Sequence, residues 1–253
     1  MNTLFDFVKD SAASFGGAIF VCLTSVPAAA AAPDPVVIER LAQADVVILG
    51  EVHDNPAHHK MQADILTVLP PKAVVWEMIT QEQAEGLIAI PLSDAEQVAD
   101  HLDWATSGWP DFGLYAPVFA AASGAQQFGA MVPRSSAKSV MERGAAAFFG
   151  SDAVVFGLDE PLPKEEQQIR EADQMANHCD ALPVEMLPMM VEFQRLRDVV
   201  LADMVVRALQ ATGGPVAVIT GNGHARTDRG IPVYLARALP DVMVLSLGQS
   251  EAG

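Results

Sequence analysis

The chain has 253 residues, of which 51% are hydrophobic and only 19% charged, and it carries a net charge of −17. That apolar content supplies a real core and excludes an intrinsically disordered chain. The acidic surplus comes with no run of lysine and arginine, which argues against nucleic acid as a partner because phosphate backbones are repelled.

Residues 1–32 read as a secretory signal peptide. No charge occurs from Ala12 to Ala32, the stretch Ala18-Ile19-Phe20-Val21-Cys22-Leu23 is strongly apolar, and Val26-Pro27-Ala28-Ala29-Ala30-Ala31-Ala32 supplies small residues for cleavage. Ile19-Phe20-Val21 ahead of Cys22 does not suit lipid attachment. The expected product is therefore a soluble exported protein, periplasmic and without a lipid anchor, starting near Ala31 to Asp34. Cys179 is then the one remaining cysteine, so no internal disulfide is expected and the thiol is expected to be buried.

Residues 33–253 alternate short apolar runs with helical patterns. Val46–Leu49, Ala73–Trp76, Phe128–Val132, Pro215–Thr220 and Val242–Leu247 suit strands buried on both faces. Asn55-Pro56 opens a helix that Pro70-Pro71 stops. Further helices are expected after Thr80, over Pro117–Ser123 and over Ser135–Phe149. From about 161 to 211 the pattern is helical without a strand, and it reads either as a small helical insertion packed over the sheet edge or as a plain crossover with extra helices. The expected fold class is α/β, a mostly parallel sheet flanked by helices.

Chemistry concentrates where strands end. Glu51 and His53 follow the first run, Glu77 follows the second, and Gly221-Asn222-Gly223-His224 follows the fourth. In a parallel sheet all four lie along the carboxyl edge, where open α/β sheets bind ligands. Glycines at 50, 221 and 223 suit tight turns there. His58, His59 and His101 are expected on helix surfaces.

Ile48-Leu49-Gly50-Glu51-Val52-His53-Asp54-Asn55-Pro56-Ala57-His58-His59 resembles the signature of the ChaN-like haem-binding family. Glu77-Met78 with Gln81 or Gln83, Tyr115-Ala116-Pro117-Val118, Pro133-Arg134, Gln194-Arg195-Leu196-Arg197-Asp198, and Gly221-Asn222-Gly223-His224 through Gly230-Ile231-Pro232 resemble its later motifs, in order. The resemblance implies haem binding linked to bacterial iron or haem uptake, with homodimers possible and a tyrosine implicated as ligand. Here that points to Tyr115, with His53 or His224 as other axial donors, and to Arg134, Arg195 or Arg197 for the propionates. His178 is a fallback ligand. Trp104, Trp109, Phe112 and Leu114 are candidates to wall an apolar pocket.

The same strand-end pattern also resembles erythromycin esterases and Tiki-type metalloproteases, which leaves a hydrolase as the alternative. Glu51, His53, Glu77 and His224 would then be catalytic, with His53 as general base on water or with a divalent metal such as Mn²⁺ or Zn²⁺.

Overall fold

The computed structural model describes residues 32–251, so all but the last residue of the expected signal peptide lies outside the described residues. Five parallel strands form one sheet: β1 (Val46–Glu51), β2 (Ala73–Trp76), β3 (Gln126–Gly129), β4 (Val216–Gly221) and β5 (Val244–Leu247), in the order β3-β2-β4-β1-β5. The α/β class and parallel sheet expected from the apolar runs are what the chain adopts. Strand β1 registers Val46 on Val216 and Glu51 on Gly221 of β4, and it pairs with β5 on its other side.

Successive strand residues point to opposite faces, and each face carries its own core. Val46, Ile48, Val75, Val216 and Val218 pack with Leu196, Val199, Ala202 and Val205 of the Leu187–Thr212 helix and with Ile231 and Leu235 of the Ile231–Ala238 helix. On the other face Val47, Leu49, Val74, Trp76, Ala217 and Ile219 pack with Ile65 and Leu66 of the Pro56–Val68 helix and with Tyr115, Val118 and Phe119 of the Phe112–Ala121 helix.

Asn55 caps the Pro56–Val68 helix, its side chain accepting the Ala57 N–H at 3.0 Å. Thr80 and Gln83 close a capping box over the short Gln81–Gly86 helix. Two local expectations shift. Strand β3 starts at Gln126, before the apolar run: it is an edge strand on which Gln126 is exposed and the half-buried Gln127 accepts the Trp76 indole N–H and donates to the Ala122 and Ala125 carbonyls. The expected Ser135–Phe149 helix divides into Ala137–Arg143 and Ala145–Phe149 at Gly144, whose φ of 81° no right-handed helix accommodates. The Leu187–Thr212 helix, the second half of the segment read as an insertion or a crossover, lies on the sheet and supplies one core layer, so this part of the segment is the crossover from β3 to β4.

No helix among the described residues is long and apolar enough to cross a membrane.

Candidate functional site

The turns after β1 and β2 and the turn after β4 meet at the carboxyl edge of the sheet. Glu51 ends β1 and is buried. Its Oε1 accepts the Tyr115 hydroxyl at 2.8 Å and lies 2.8 Å from His53 Nδ1, while its Oε2 accepts from Gln62 Nε2 at 2.8 Å. His59 adds a fourth neighbour, with Nδ1 at 3.4 Å from Oε2. These donors offset the desolvation of a buried carboxylate. Around this carboxylate, burial and then the Glu51 charge push the Tyr115 phenol far above its usual range, so it stays a hydroxyl donor.

Glu77 sits just past β2 and anchors a second network. Its Oε2 accepts the Thr220 hydroxyl at 2.8 Å and the Gly221 N–H at 2.7 Å, and its Oε1 accepts from Arg197. His224 Nε2 lies 3.4 Å from the same Oε1, and His224 Nδ1 lies 2.6 Å from Asp198 Oδ1. His224 is thus clasped between two carboxylates. Burial opposes its charge, but Glu77 and Asp198 outweigh burial and push it up to about 9. Burial likewise works against Glu77, yet His224 and Arg197 hold it well below the usual carboxylate range. Asp198, wholly buried, is raised by that burial against the pull of His224. With Nδ1–H of His224 given to Asp198, an amide nitrogen of Gln194 at 3.0 Å would meet a proton, so charge favours the Gln194 carboxamide turned with its oxygen inward.

The two networks adjoin at Gly221. A Cβ there would stand 2.8 Å from His53 Nε2 and 3.6 Å from Glu77 Oε2, so glycine lets the imidazole lie against the strand end. His53 is the open member of the site, with 33% of its side chain exposed. Burial lowers its proton affinity, but the hydrogen bond to Glu51 and the Glu77 charge reverse the sign and raise it above 6.5. Its Nε2 has no hydrogen-bond partner among the described residues, while Nδ1 is held by Glu51. Trp109 flanks His53 with ring centroids 4.9 Å apart, and its indole N–H donates to the Met78 carbonyl at 3.1 Å. Arg134 lies beside the residue before Trp109: its Nη1 is 2.9 Å from where a Cβ of Gly108 would be. Arg134 is exposed and forms no ion pair among the described residues.

A clasp from further along the chain braces these turns. Gln249 Nε2 donates to the Gly50 carbonyl at 2.7 Å and the His58 carbonyl at 3.2 Å. Asn222 exchanges two hydrogen bonds with the Gln249 backbone, at 2.6 and 2.9 Å.

The structure therefore brings Glu51, His53, Glu77 and His224 into one cluster at the carboxyl edge of the sheet, with the Tyr115 hydroxyl on Glu51 and Arg134 against Gly108. Tyr115 is fully buried, so its hydroxyl faces Glu51 and not the opening. Arg197 is committed to Glu77, and Arg195 donates to the Gly157 and Glu160 carbonyls at 3.1 and 2.9 Å. Trp104 is buried against Tyr115 and Phe119 and belongs to the core. His178 is exposed, as is Cys179, contrary to the burial expected of that thiol. His58 and His59 are buried, not on a helix surface: His58 Nδ1 accepts the Val52 N–H at 2.9 Å, and His59 Nε2 meets the His53 carbonyl at 2.9 Å. Sequence reading also missed Gln62 and Asp198. Their signal was polar residues on the inward stripe of otherwise apolar helices, His59 and Gln62 three apart and Asp198 between Leu196 and Val199.

An open parallel sheet with two acid–imidazole pairs converging in its carboxyl-edge crevice defines a ligand-binding α/β protein. The family model described as "Haem-binding uptake, Tiki superfamily, ChaN" matches residues 37–235, and the chain belongs to that family. Among solved structures it resembles ChaN of Campylobacter jejuni, described for cofacial heme binding, with a TM-score of 0.63 and 20% identity over 85% of this chain and 87% of that one. At that identity the likeness establishes the fold alone. The type III effector HopBA1 matches with a TM-score of 0.42 and 13% identity over 74% of this chain and 71% of that one. No curated protein matches.

Proposed function

We propose that this chain is an exported haem-binding protein of a bacterial iron or haem uptake system, and that haem meets the rim formed by His53, Trp109 and Arg134. Haem supplies an iron with open axial positions and two anionic propionates. The observation that carries the reading is His53, whose side chain is one-third exposed and whose Nε2 has no hydrogen-bond partner among the described residues, while Nδ1 is fixed by a carboxylate. A ligating histidine is ordinarily oriented in this way by its other nitrogen. Trp109 offers an apolar flank, and Arg134 offers a cation with no carboxylate of its own. Tyr115 supports the site indirectly, because its hydroxyl proton steadies the carboxylate that holds His53.

Titrating the mature protein with hemin tests this. A shifted Soret band should saturate at a fixed ratio, be lost in His53→Ala, weaken in Arg134→Ala and persist in Tyr115→Phe. A band that survives in His53→Ala but vanishes in Tyr115→Phe would move ligation to the tyrosine and overturn the role of His53. The cofacial heme binding described for the Campylobacter protein carries over as an expectation that two copies of this chain associate around haem. Sedimentation with and without hemin tests that pairing.

The hydrolase alternative keeps one specific support, the Glu51–His53 pair with an open nitrogen, which suits a general base on water. Its metal version finds little, since no group of three or more His, Cys, Asp or Glu side chains among the described residues is arranged to hold an ion. Esterase and peptidase screens with His53→Ala as control test the general-base version.

A further inference from the structure

A second cavity, of about 800 Å³, adjoins the site, and none of Glu51, His53, Glu77 or Trp109 borders it. Its walls are the helices Lys164–Asn177 and Leu187–Thr212, the turn after β4 and the residues after β5. The volume falls within the range of about 300–1,000 Å³ usual for small-molecule sites.

The lining chemistry is selective. Its charges are already matched: Arg226 with Asp228 at 2.7 Å, Arg170 with Glu166 at 2.5 Å, Asp198 with His224 at 2.6 Å, and Arg229 with Asp173. Every charged residue of the lining thus has an ionic partner, and the wall carries no unneutralised charge to favour an ionic ligand over a neutral one. The lining also holds no aromatic ring and no His, Tyr, Cys or Met, so it offers a porphyrin neither a stacking surface nor an axial donor. What it does offer is a set of hydrogen-bonding groups. Gln174, Asn177 and Gln194 line it, the last with its amide against His224. Asp198 lines it too, almost wholly buried, with Oδ1 held by His224 and no donor on Oδ2 among the described residues. Hydroxyl groups both donate and accept, which matches a wall that mixes fixed acceptors with amides.

We propose that this cavity is a binding site for an uncharged, hydroxyl-rich small molecule, a small sugar or polyol, held by Asp198 and by the amides of Gln174 and Asn177. It stands apart from the haem reading, since it shares no lining residue with the His53 rim.

The test uses the mature protein, with glucose and myo-inositol as neutral probes and citrate and arginine as ionic ones. Saturation-transfer NMR reads contact, and competition titrations read affinity. Gln174→Leu and Asn177→Leu lie on the flank of one helix and leave the buried network intact. The expected result is saturable contact by at least one neutral probe, weakened about tenfold or more in either variant. Neither ionic probe should bind, and the hemin titration should be unchanged. A cavity that holds only water, shown by no saturable contact from either neutral probe, would overturn the proposal. So would binding that both variants leave untouched, or an ionic probe that binds more tightly than the neutral ones.

Discussion

Replacing Glu77 by glutamine removes a charge and keeps the shape. In the native protein its carboxylate receives Arg197 and His224 on one oxygen and Thr220 and Gly221 on the other. A carboxamide keeps one oxygen, so its NH₂ must face one of these donor pairs. Breaking a buried ion pair costs about 3–5 kcal/mol. Arg197 keeps 31% of its side chain in water, so solvent recovers part of that, and the lower end, about 3 kcal/mol, is expected. For a domain of this size the melting temperature should fall on the order of 10 °C. The pH dependence gives an independent signature. His224 rises from 6.5 to about 9 on folding, so its contribution is fully present below about pH 6.5 and is lost as pH rises through about 9. Glu77→Gln removes one of its two carboxylates, so the alkaline loss should move to lower pH. Glu77 itself is held below 4.5, so its contribution is present above that pH and is lost as pH falls through the lowered value; the variant should lack this acid loss. Urea unfolding across the pH range measures all three effects. A destabilisation under about 1 kcal/mol with an unmoved alkaline limb would refute the view that Glu77 and His224 stabilise each other as ions.

Three further outcomes follow from the geometry. Tyr115→Phe deprives Glu51 of a charged-acceptor hydrogen bond and should cost about 1.5–3 kcal/mol in urea unfolding, while in the native protein alkaline titration should leave the Tyr115 phenol protonated until the fold is lost. Gly221→Ala suits the local backbone, with φ of −64°, but pushes a methyl against His53 Nε2; hemin affinity should drop about tenfold while the melting temperature changes little. Gln249→Ala removes two hydrogen bonds to the Gly50 and His58 carbonyls and should cost about 1–2 kcal/mol by chemical unfolding, with faster amide exchange in the turn after β1.

The sheet was legible because strands buried on both faces leave continuous apolar runs, and Val46–Leu49 and Ala73–Trp76 announce themselves that way. Strand β3 was not, because an edge strand that begins with Gln126 and Gln127 hides half its length in polar residues. Glu51, His53, Glu77 and His224 were legible because the end of a parallel strand is one place. His59, Gln62 and Asp198 were not, because a polar residue on a helix ordinarily faces water, and only the fold reveals that these three face a carboxylate or an imidazole inside. Which way the Tyr115 hydroxyl points was not legible either. Sequence carries the ring and its helix, but burial beneath Glu51 is a tertiary fact.

Strand β1 sits between β4 and β5, so the earliest strand to be made finds both neighbours among the last. A nascent chain that has not yet reached residue 216 holds β2 and β3 but leaves an oily ribbon, tipped with Glu51, unpaired on either side. Such long-range closure slows folding and exposes a sticky edge on the way. It also means that no amino-terminal fragment ending before β4 can carry a working site, however well its helices form.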